Sequence, residues 1–141
     1  MPHLVMLYSP NLHAQVDINK LCRSLADVLI TINDEAGNLV FPKGGTRVLA
    51  YAASHYAIAD AGAAGIAAGG SGDYGFVYLN LRMAKGRSAS VHQTSGNALV
   101  AIAKQYFASH LAQAPIGITI QIDEGTEVFD AKLSSLHSLF T

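Results

Sequence analysis

The sequence predicts an α+β domain of two β-α-β halves. Four main strands form one mostly parallel-paired sheet, with two helices on one of its faces. Three observations lead there. Short apolar runs and two amphipathic stretches follow one another as strand–helix–strand, twice over. The two halves, about residues 2–53 and 74–123, have similar lengths, and a crossover helix makes the strands it joins parallel. At 141 residues, 1–141 reads as a single domain able to bury a real core.

Residues 3–8 open the chain as a strand apolar on both faces, the pattern of a sheet interior. Pro10 and Asn11 stop it. Asp17 is positioned as an N-cap, and Leu21, Leu25, Val28, Leu29 and Ile32 mark one face of the helix behind it. Leu39-Val40-Phe41 reads as a short edge strand, Pro42 to Gly45 as a turn, and Arg47 to Ala53 as the second main strand. Residues 57–72 are rich in Gly and Ala. They read either as a flexible surface loop or as a lid over a site. From Tyr74 to Met83 the alternation is clear: Val77, Leu79, Leu81 and Met83 share one face, and Phe76, Tyr78, Asn80 and Arg82 the other. Ser90 and Gln93 fit a capping box for a helix running to about Gln113, with Leu99, Ile102, Ala103, Tyr106, Phe107 and Leu111 inward. Pro115 ends that helix. Ile116, Ile118, Ile120 and Ile122 give the last strand one buried face, and an apolar tail fills 124–141.

Composition narrows the function. Only 13% of residues are charged while 50% are hydrophobic, against an average near 25% charged. So little charge on so small a protein predicts surface buried between subunits, and the uncovered sheet face is the place for it. A net charge of −1 without a basic stripe gives nucleic acid no footprint. No apolar run approaches the roughly 20 residues of a membrane span, and none resembles a signal segment, so a cytoplasmic location without membrane attachment is expected. The single Cys22 permits no internal disulfide and falls beside the apolar helix stripe as a packing residue. The six histidines lack ligand spacing, so no metal is expected.

Three residues carry a chemical reading. Once Met1 is removed, Pro2 is a secondary amine at the end of an anchored strand. An α-amino group titrates near pKa 7.7–8, within reach of general acid–base work at neutral pH. The plain alternative is a second-position proline without a chemical role. Arg87 lies in a glycine turn ahead of a helix N-terminus, where it is either a solvated turn residue or part of a carboxylate site with the first-turn N–H groups. Arg47 enters an otherwise uncharged strand, either as rim charge or as a functional cation. Together, an amine and two arginines suit proton transfer on an anionic substrate. The arginines hold the dianion and polarise an enolate, and the amine shifts a proton without any cofactor.

The opening Met-Pro-His-Leu, the Gly-Gly-Thr-Arg at 44–47, and Asp73 to Arg82 followed by Gly86-Arg87-Ser88 resemble the 5-carboxymethyl-2-hydroxymuconate Δ-isomerase family of the tautomerase superfamily. The resemblance covers nearly the whole chain. It implies a tautomerase-like β-α-β repeat, a homotrimer, and an amino-terminal proline that moves the proton. The implied substrate is an unsaturated tricarboxylate from bacterial breakdown of homoprotocatechuate. By this resemblance Pro2 is the base and acid, and Arg47 and Arg87 bind or polarise carboxylates. The segment between Arg47 and Tyr74 is longer than the family pattern, and Val48-Leu49-Ala50 stands where a further basic residue is expected. Two other readings remain: a non-catalytic trimeric binding or structural protein with this fold, and a proline enzyme that hydrates or decarboxylates an unsaturated acid.

Overall fold

A computed structural model describes residues 2–141. Strands β1 (His3–Tyr8), β2 (Arg47–Ala52), β3 (Gly75–Ala84) and β4 (Ile116–Gly125) form one sheet in the order β2-β1-β3-β4. Helix α1 (Ile18–Leu29) joins β1 to β2, and α3 (Ala89–Gln113) joins β3 to β4. Both crossovers yield parallel pairs, as expected, and the halves meet through an antiparallel β1–β3 pair.

Period-two alternation fixes which side each strand buries. Leu4, Met6 and Tyr8 of β1 and Val77, Leu79, Leu81 and Met83 of β3 point to the helices and are all buried. Leu21, Leu25 and Leu29 of α1 meet them, together with a stripe of five residues spaced four apart on α3: Val91, Ser95, Leu99, Ala103 and Phe107. Both long helices thus cover one face of the sheet. The other face is open in the single chain. Its exposed members include Leu7, Leu49, Tyr51 and Phe76, so β1 is covered on one side and not on both.

Several elements differ from expectation for local reasons. The Leu39–Phe41 edge strand reduces to one bridge, Asn33 to Leu39, because Val40 and Phe41 turn inward as core plugs and are almost wholly buried. Ser88 rather than Ser90 caps α3, accepting from the Val91 N–H at 3.1 Å while its own hydroxyl bonds Glu35. Leu111 lies outside the 91–107 stripe and is half exposed. Within 57–72 a short helix, α2 (Ala63–Ala67), forms. Asp60 accepts from the N–H groups of Gly62 and Ala64, and the Tyr74 hydroxyl accepts from Gly65 N–H at 3.0 Å. This segment is therefore a folded excursion and not a bare loop. Asp17 caps α1 as expected, through the Lys20 N–H at 3.1 Å. In the tail a 3₁₀ turn at His137–Phe140 packs on Gly44, where a Cβ would meet the His137 backbone at 3.2 Å. Val128, Phe129 and Leu133 stay exposed.

Candidate active site

Pro2 is buried and immediately precedes β1, whose two neighbours in the sheet hold it centrally. His3, the next residue, faces the open side. It stands in register with Arg47 on β2 and with Arg82 on β3. Paired residues of adjacent strands share a face, so the three side chains form one row across the sheet, arginine–histidine–arginine. These residues line a cavity of about 470 Å³ whose far wall is the tail segment carrying Glu127, Asp130 and Lys132.

Among the described residues neither guanidinium in this row is ion-paired. Arg47 gives one N–H to the Gly45 carbonyl at 3.2 Å. Asp123 stands beside Arg82 on β4, but its carboxylate accepts from the Asn80 amide at 2.8 Å. Asp130 is held by Lys132, whose ammonium lowers its carboxyl pKa. Burial and then the Arg47 charge push the His3 imidazole below its ordinary value of 6.5. A neutral imidazole between two unpaired cations makes the cavity attractive to anions.

Arg87 is placed elsewhere. Half-buried behind Gly86, whose φ of 95° makes the turn, it donates to the Val40 carbonyl at 3.0 Å. It also adds to the lowering of the Asp34 carboxyl, which is mainly due to the Asn38 backbone N–H. Within one chain it does not line the His3 cavity. One of its five donors is used, which leaves the others for a ligand or another subunit. Arg82 was legible only as an outward strand residue. Its alignment with Arg47 depends on strand register, and no local pattern in the sequence carries that. A larger cleft of about 710 Å³ lies between α1 and β2, with Cys22 on its wall. The Cys22 thiol pKa is raised by burial, which suits a packing role. Among the described residues no group of histidine, cysteine and carboxylate side chains could hold a metal, and no helix is long and apolar enough to cross a membrane.

Fold and cavity define the class: a small single-sheet α+β protein with a buried second-position proline heading its central strand and a cavity lined by unpaired arginines at His3. The family model for 5-carboxymethyl-2-hydroxymuconate isomerase matches residues 2–140, and the chain belongs to that family. It is 25% identical over 140 residues to 5-carboxymethyl-2-hydroxymuconate Δ-isomerase of Escherichia coli, covering 99% of each chain. A crystal structure of 5-carboxymethyl-2-hydroxymuconate δ-isomerase is 55% identical, with a TM-score of 0.95 over 100% of this chain and 93% of that one. The 5-carboxymethyl-2-hydroxymuconate isomerase of Deinococcus radiodurans R1 is 32% identical, with a TM-score of 0.82 over 99% and 94%.

Proposed function

We propose that this chain isomerises 5-carboxymethyl-2-hydroxymuconate, or a close unsaturated 2-hydroxy polycarboxylate, without a cofactor. The observation that carries the reading is Pro2, buried at the head of the central strand in a chain of this isomerase family. The setting is bacterial breakdown of homoprotocatechuate in the cytoplasm, and the working form is a homotrimer that covers the open sheet face.

Met1 is removed, and the Pro2 nitrogen becomes a secondary amine. Its lone pair takes the proton of the substrate 2-hydroxyl and returns it to a carbon of the conjugated chain. The dienol becomes an unsaturated ketone of the same composition, so no oxidant or co-reactant enters. Arg47 binds a substrate carboxylate, and Arg87 stabilises the charge that develops on the dienolate. An α-amino group of this kind ordinarily titrates near 7.7–8. The free base is the active form, so kcat/KM falls as pH drops through that pKa.

The test is a spectrophotometric ketonisation assay of processed wild type beside Pro2→Ala, Arg47→Gln and Arg87→Gln. Loss of about 10²-fold or more in kcat is expected for Pro2→Ala. Arg47→Gln should mainly raise KM, and Arg87→Gln should lower kcat and kcat/KM together. Unchanged kinetics in Pro2→Ala would overturn the proposal.

A further inference from the structure

We propose that Arg82 is a specificity-determining residue, binding a further carboxylate of the ligand so that Arg47 and Arg82 bracket a polycarboxylate across His3. The binding claim stands on the cavity, and only the identity of the turned-over acid rests on the isomerase reading.

Register carries the argument. His3 pairs with Arg47 on one side and Arg82 on the other, so the two arginines lie one strand to either side of it on the same face. Neighbouring strands lie about 4.8 Å apart, which puts the arginine backbones roughly 10 Å apart, too far for one carboxylate to satisfy both from the backbone line. Two separate anionic groups on one ligand fit that spacing. Arg82 is solvent-exposed and makes no ion pair among the described residues, so its guanidinium is free to take a ligand carboxylate. Its register neighbour Asp123 is bonded by Asn80, and no ion pair to Arg82 forms among the described residues. It lines a cavity walled by the tail.

The tail also explains how the site stays open. Gly125 ends β4 where a Cβ would lie 2.2 Å from Glu127 Oε1 and 3.1 Å from Arg82 Nε. Its missing side chain lets Glu127 and Arg82 approach that point without forming an ion pair. With no ion pair to Glu127, the Arg82 guanidinium is left for a ligand carboxylate with bidentate geometry. A ligand with a single carboxylate, held by Arg47, gains nothing from Arg82. The pair therefore discriminates by the number of carboxylates and not by their chemistry.

Calorimetry on the full-length protein tests this with two acids that cannot isomerise, propane-1,2,3-tricarboxylate and the monocarboxylate butyrate. Wild type is expected to prefer the tricarboxylate by about tenfold to a hundredfold, the worth of one charge-assisted contact. Arg82→Gln should abolish that preference and leave butyrate binding unchanged, and Arg82→Lys should restore part of it. The melting temperature without ligand should be unaltered in both variants. On the dienols, Arg82→Gln should raise KM for the tricarboxylate with kcat retained. A preference that survives in Arg82→Gln, a wild type with no preference, or equal losses for both acids overturns the proposal. An Arg82-dependent preference without turnover by wild type leaves this site standing and removes the isomerase reading.

Discussion

His3 reports on the cavity at the scale of one residue. Burial and the Arg47 guanidinium hold its pKa below 6.5 in the folded chain. The unfolded chain then binds the proton first as pH falls. Its contribution to stability is present above pH 6.5 and is lost as pH drops below that value. The ring is largely exposed, so the effect on stability is small and the titration itself is the readout. NMR titration should give a His3 midpoint below the ordinary value, and a tricarboxylate should raise it by neutralising the arginine field. A midpoint above 6.5 without ligand contradicts the row of unpaired cations. Pro2 and Arg47 were visible in the sequence because each breaks a local expectation, a proline heading a strand and a charge in an apolar run. Arg82 breaks none. Its place opposite His3 follows from antiparallel pairing between residues 79 positions apart, and period-two alternation sets a face but not a partner.

At the scale of elements, the cap of α3 separates reading from structure most sharply. The Gln three residues after Ser90 pointed the sequence reading to Ser90, whereas the structure puts the cap at Ser88. Tertiary context decides. Ser88 reaches Glu35 in the 34–41 loop as well as the Val91 N–H, and the same loop receives Arg87 through Val40. Thermal or denaturant unfolding should show Ser88→Ala losing about 1 kcal/mol. Ser90→Ala should cost less than about 0.5 kcal/mol. The reverse ranking contradicts the assigned cap. Strands β1 to β4, α1 and its Asp17 cap were legible because periodicity and capping are local signals. Helix α2 was not, since four small residues and a lone Ile66 carry no amphipathic pattern and its anchors are Asp60 and the distant Tyr74. Val40 and Phe41 were misread as a strand for the same kind of reason. Apolar residues buried in a loop look identical to apolar residues in a sheet.

For the whole molecule, the sparse charge and the open sheet face have one common explanation. Leu7, Leu49 and Tyr51 on the outward face and Val128 and Leu133 on the tail are too exposed for an isolated chain of this size. A homotrimer in native mass spectrometry is the expected state, and Leu49→Arg should shift it toward monomer with the secondary structure retained. A wild type that is monomeric at micromolar concentration contradicts that state.

The central claim is that a free Pro2 amine moves the proton. The most direct measurement compares two preparations of the same chain in the ketonisation assay, after intact mass has established each N-terminus. One has lost Met1, and the other carries an uncleaved residue ahead of Pro2, which turns its nitrogen into an amide with no basic lone pair. Turnover in the first and its loss by about 10²-fold or more in the second is the predicted result. Equal turnover in both would contradict the role assigned to Pro2.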